Sequence, residues 1–131
     1  METMRYLSPS EIRYTQNSTS NTFGNHGRYA YRLIGESLDD ILLGNCNVHD
    51  IPTITVVRRN NAWYSVDNRR LWVLKKAEEL GKCSEIPVYI SYDLPDFKFT
   101  TYSNGLDIEI RRGPGGSIWR TPDFEVKRDY I

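Results

Sequence analysis

Arg69 and Arg70 stand side by side in Asp67-Asn68-Arg69-Arg70, between a strand-like Tyr64-Ser65-Val66 and a helix-like run ending at Gly81. Two arginines at the mouth of a helix suit phosphate binding. Their planar forks match oxyanions, the first helical N–H groups lack intrahelical partners, and the helix dipole favours negative charge there. The alternative is a solvated basic first turn. Adjacent helix residues project about 100° apart, so the pair cannot face one phosphate identically. One is expected to meet the ligand while the other pairs with Asp67 or packs outward.

Asp67 has two readings. Its carboxylate either caps the helix or acts as general base on a water or hydroxyl held beside the phosphate. Asn68 is a cap or a hydrogen-bonding group for the ligand. Arg13 and Gln16 sit where a strand end meets the polar run 17–25; by composition alone they make a surface ion pair and a solvated amide. The hydroxyls of Thr15 and Ser18 either bind phosphate or simply begin that loop. His26, in a glycine-flanked loop, is the histidine placed to act as a mobile acid or base, against the plainer reading of an exposed side chain. His49, before Asp50-Ile51-Pro52, is turn chemistry. Trp63 and Trp72 are assigned to the core rather than to base stacking, and Lys75 and Lys76 to a solvated face.

The elements that must position these groups follow from pattern and punctuation. Ser37 with Asp40 three residues on is a capping-box-like start. Leu38, Ile41 and Leu42 supply an apolar face, and Gly44 a stop. Ile54–Arg59, Asn60-Asn61 and Ala62–Val66 read as a hairpin. A helix is predicted from about Arg69 to Leu80, ended by Gly81, with a strand over Ile86–Ile90. Phe97–Tyr102 and Leu106–Arg111, joined through Ser103-Asn104-Gly105, read as a second hairpin, and Ser117–Arg120 as a last short strand.

Length and composition set the frame. The chain has 131 residues, 39% hydrophobic and 26% charged, which fits one domain with one modest core. Seventeen basic and seventeen acidic residues cancel, so a nucleic-acid role must use a local patch. No apolar run approaches a membrane span, and the stretch METMRYLSPSEIRY is too polar for a signal peptide. Cys46 and Cys83 lack any CxxC context and read as ordinary thiols, with a disulfide between them as the unsupported alternative. With two histidines, no dedicated metal centre is expected.

The order of elements around Asp67-Asn68-Arg69-Arg70 resembles the ParB/sulfiredoxin superfamily over residues 7–91. The resemblance rests on Ile12-Arg13, on the 37–43 helix leading through Asp50-Ile51-Pro52 into Ile54-Thr55-Val56, and on Tyr64-Ser65-Val66 before Asp67–Arg70. Leu80-Gly81 before Ile86-Pro87-Val88 completes it. Chromosome-partitioning ParB proteins usually carry Gly-Glu-Arg-Arg at that position and sulfiredoxins Gly-Cys-His-Arg. Asn68 replaces the sulfiredoxin cysteine, which excludes sulfinic-acid reduction. Asp67 replaces the glycine and adds a carboxylate, and no counterpart of the DNA-reading helix-turn-helix is expected within these 131 residues. The chain is also similar, from Ile12 to Arg112, to the ParB-like domains at the C-termini of bacterial polymorphic toxins. There the matching residues are Ile12–Ser18 with Phe23, Asp67–Leu71, Phe99-Thr100-Thr101, and Asn104-Gly105 followed by Arg111.

That resemblance implies a second phosphate-facing arginine at Arg13 and an orienting glutamine at Gln16. It also implies a ParB-like nuclease acting on phosphodiesters. The expected fold is α+β: a small mixed sheet with two or three helices, one domain over 1–131, with 95–131 a C-terminal β extension. The leading function is a toxin or effector domain that binds nucleic acid or a nucleotide. Arg13, Arg69 and Arg70 would neutralise charge, and Asp67 or His26 would handle the proton. The alternatives are nucleotide-dependent phosphoryl or nucleotidyl transfer, or nucleotide hydrolysis, with magnesium held mainly by the phosphates, and a non-enzymatic nucleotide- or protein-binding domain. The toxin reading adds a dedicated immunity protein as partner, no membrane, and a location in the cytoplasm or delivery into a target cell's cytoplasm.

Overall fold

Alternating apolar positions and glycine or asparagine stops divide the chain into short segments. The computed structural model describes residues 3–24, 32–93 and 99–121. Within them run β1 (Thr3–Leu7), β2 (Ile12–Tyr14), β3 (Ser18–Thr19), α1 (Ile34–Leu42), β4 (Ile54–Arg59), β5 (Ala62–Ser65), α2 (Asn68–Glu79), β6 (Ile86–Ser91) and β7 (Glu109–Ile110). Short 3₁₀ turns occupy Pro9–Glu11, Val48–Asp50 and Ile118–Arg120. The fold is α+β, as expected.

Five strands make one mixed sheet in the order β1-β6-β4-β5-β2. β1–β6 and β4–β5 are antiparallel, whereas β4–β6 and β2–β5 are parallel. The β4–β5 hairpin turns through Asn60 and Asn61, whose φ values of 53° and 64° are the left-handed pair that a two-residue loop requires. Register fixes the faces. Tyr14, Ser65, Val56, Ile90 and Thr3 form one row across the sheet, and Ile12, Trp63 and Arg58 form the next. Both helices cover this side. Ile34, Leu38, Ile41 and Leu42 of α1 and Leu71, Val73, Leu74 and Ala77 of α2 meet Ile12, Ile54, Val56 and Val88 in one buried core. Arg13, Val57 and Tyr64 point to the opposite side, where Phe99 packs edge-on against Tyr64 with centroids 5.2 Å apart.

Three sequence expectations are corrected. α1 begins at Ile34, not Ser37, because tertiary backbone bonds fix its first turn: Ile34 N–H donates to Asn21 O at 2.9 Å and Gly35 N–H to Pro114 O at 2.8 Å. Ser37 is thereby buried within the helix, its hydroxyl without a partner among the described residues. The C-terminal hairpin does not form among the described residues. Asn104 and Gly105 do turn (φ 56° and 78°), but the flanking segments bond to the β2–β3 region instead of to each other. Thr100 N–H donates to Thr15 O at 2.8 Å, Tyr14 N–H to Gly105 O at 2.8 Å and Glu109 N–H to Asn17 O at 2.9 Å, and β7 pairs parallel with β3. The expected strand over Ser117–Arg120 is instead a 3₁₀ turn. Its backbone donors Ser117 and Trp119 bond the Asp39 carboxylate at 2.7 and 2.9 Å, and Trp119 meets Trp72 edge-on at 5.2 Å.

Candidate functional site

β5 ends at Ser65, the chain turns through Val66, and α2 opens at Asn68, so the sheet delivers the charged stretch to the helix mouth. Ser65 Oγ accepts from Asp67 N–H at 2.9 Å, which tightens this turn. Asp67 occupies the N-cap position, but its side chain makes no capping bond. Its Oδ2 accepts instead from Thr55 N–H at 2.9 Å, and its Oδ1 lies 3.8 Å from an Arg70 guanidinium nitrogen. The N–H groups of Asn68, Arg69 and Arg70 consequently have no partner among the described residues. Among the described residues, the positive end of the helix is left open beside one anchored carboxylate and one loosely paired, part-exposed arginine.

The two arginines diverge as the helical rotation requires. Arg69 turns onto the polar run 17–24, where one guanidinium nitrogen donates to Ser20 Oγ at 3.0 Å and Thr22 O at 2.7 Å. It fastens that segment against the mouth. Arg70 faces Asp67 and has no hydrogen bond among the described residues. Asn68 is buried and points inward. Its Oδ1 accepts from Thr15 N–H at 3.0 Å, and its Nδ2 donates to Thr15 Oγ1 at 2.9 Å and weakly to Gln16 Oε1 at 3.4 Å. Asn68 joins α2 to the end of β2 and places Gln16, which is half-buried, next to the mouth.

The other predicted site residues are placed as follows. Thr15 is 2% exposed and its hydroxyl donates to Ser65 O at 2.9 Å, so it serves the strand junction and not a ligand. Ser18 Oγ accepts from Arg111 at 2.8 Å beside the β3–β7 pair. Arg13 lies on the face of the sheet away from the helices and donates to Asn104 O at 3.3 Å. The structure does not bring Arg13 together with Arg69 and Arg70. His26 lies outside the described residues. Sequence reading missed Ser20, Thr22 and Ser65 as parts of the mouth. The polar run was legible as loop chemistry, but nothing local linked Ser20 and Thr22 to an arginine about fifty residues on.

Electrostatics further along α2 belong to packing. Lys75 Nζ sits 5.0 Å over the Tyr14 ring, and burial lowers its pKa. Burial, with smaller contributions from Glu79 and Asp107, raises that of the Tyr14 hydroxyl. Burial likewise pushes the Cys83 thiol up to about 11, with Glu78 adding to the effect. Both cysteines are free thiols. Among the described residues no group of three or more His, Cys, Asp or Glu side chains is placed to hold a metal ion, and no helix is long and apolar enough to cross a membrane. No family model matches the chain, and no curated protein matches it.

Proposed function

We propose that the mouth of α2 binds a phosphate of a nucleic acid or nucleotide, and that the chain is a ParB-like effector domain cleaving phosphodiesters. The observation that carries the binding step is the open first turn: three N–H groups without partners among the described residues, with Arg70 and Asp67 at their edge. The anion would accept from the first-turn amides, and Arg70 would swing from its loose contact with Asp67 onto a phosphate oxygen. Asp67, anchored through Thr55 N–H, would then take the proton of an attacking water at its other oxygen. The new P–O bond forms as the bond to the leaving oxygen breaks, and that oxygen is protonated from solvent. Arg70 and the amides neutralise the charge that develops. Arg69 acts by holding Ser20 and Thr22 in place. Any magnesium would be held mainly by the substrate's phosphates, since Asp67 is the carboxylate at the mouth among the described residues. The nuclease and toxin parts of this reading rest on the sequence resemblance.

Incubation with DNA, RNA, ATP and CTP, with and without magnesium, tests it against Arg70→Ala and Asp67→Asn proteins. Polymer cleavage by the wild type that both variants lack supports the reading. Turnover or binding of mononucleotide alone shifts it to nucleotide-dependent chemistry at the same mouth. Inert, well-folded protein that also leaves host growth unharmed on expression refutes it.

A further inference from the structure

Trp63 lies in the same row of the sheet as Ile12, at the end away from the α2 mouth. Two arginines converge on its ring: Arg58, its register partner on β4, at 4.9 Å from the centroid, and Arg5 of β1 at 5.4 Å. Both arginines are exposed, and neither has an ion pair or hydrogen bond among the described residues. The Trp63 indole N–H also lacks a partner there. Thr3, Ile90 and Ser91 help close the walls of an open cleft of about 570 Å³. A guanidinium stacked on an indole is held in orientation by the ring while its N–H edge stays free for an oxyanion. This arrangement has two cationic forks, an apolar wall and, among the described residues, no acidic group lining it.

We infer that this cleft is a second ligand site, distinct from the α2 mouth, which takes a phosphorylated ring compound of mononucleotide size. The phosphate sits between Arg5 and Arg58, and the ring lies against Trp63 and Ile90. The volume falls within the range of about 300–1,000 Å³ usual for small-molecule sites. Two arginines that have no acidic partner among the described residues repel each other, and an anion between them removes that repulsion. The apolar wall selects a ligand with a flat body over a bare anion. The inference does not depend on the function proposed for the mouth.

Fluorescence titration with adenosine monophosphate tests it directly. Trp72 is packed against Trp119, so Trp63 is the indole in the cleft. Saturable change with adenosine monophosphate is expected, and weaker binding with adenosine or inorganic phosphate alone. Arg5→Ala and Arg58→Ala should each weaken binding by about tenfold or more, and Arg58→Lys, which keeps the charge but loses the fork, by less. Calorimetry with Trp63→Leu provides a readout free of the fluorophore and should show the same loss. The proposal is overturned if adenosine monophosphate does not saturate, if either fragment alone binds as tightly, or if Arg70→Ala abolishes binding while Arg58→Ala does not.

Discussion

The side-chain amide of Asn68 holds Thr15 at two points, accepting from its backbone N–H at 3.0 Å and donating to its hydroxyl at 2.9 Å. One residue of α2 thereby completes the hydrogen bonding of a buried residue at the end of β2. It sets the distance between the helix mouth and the run that carries Gln16, Ser20 and Thr22. The geometry of the candidate site depends on this junction before any charge is considered.

Asn68→Ala should therefore destabilise the fold, although the residue belongs to an exposed-looking charged stretch. Removing the amide leaves Thr15 N–H buried without an acceptor, which costs about 1–3 kcal/mol. Urea unfolding should show a lower midpoint with an unchanged slope. A midpoint equal to wild type would mean that the amide is not needed at the junction.

The two arginines should separate cleanly on substitution. Arg69→Ala removes both bonds to the 20–22 segment, so hydrogen exchange there should accelerate and stability should fall by about 1–2 kcal/mol. Arg70→Ala loses only a 3.8 Å contact with a part-exposed carboxylate, and stability should stay within about 0.5 kcal/mol. Affinity for a phosphate-bearing substrate should behave in the opposite way, with Arg70→Ala losing about tenfold or more. Equal stability losses in the two variants would refute the division of roles.

Where the structure departs from the sequence reading, the missing information is non-local. Asn60-Asn61, Gly44 and Gly81 each mark a stop through their own backbone preference, and each stop is where the sequence places it. β1 escaped notice because Thr3, Met4, Arg5 and Tyr6 are all exposed, so this edge strand carries no buried-face alternation. Ser103-Asn104-Gly105 has hairpin turn chemistry, yet its neighbours bond β2 and Asn17, a choice that turn residues cannot encode. Asp67 was legible as a residue beside Arg69 and Arg70. That it bonds Thr55 and leaves the helix amides open depends on how the β4–β5 hairpin brings Thr55 alongside.

Gly35 should tolerate no side chain. Its N–H bonds Pro114 O at 2.8 Å, and an added Cβ would run into the carbonyls of Pro114 and Gly115. Gly35→Ala is normally favourable inside a helix, by about 0.5–1 kcal/mol. Here it should instead destabilise by about 1–3 kcal/mol, because the 113–116 backbone must retreat. Thermal melting with a higher midpoint for Gly35→Ala would show that this approach is not required.

Stability should fall as pH rises from about 9 to about 11, and Cys83 should account for part of the fall. The thiol ionises near 9.0 when solvated, but burial raises this to about 11 in the folded chain, where Sγ lies 3.7 Å from Leu74 O. Between those values the unfolded state has lost the proton that the folded state keeps. Stability that is fully present below pH 9 is therefore lost as pH climbs through the folded value. Lys75 acts in the opposite sense, because burial lowers its pKa and the folded state releases its proton first. The Cys83 contribution is thus isolated by comparing the stability–pH slopes of wild type and Cys83→Ala over that interval. The variant should show the shallower decline. Parallel slopes would mean that the thiol titrates as it does in water.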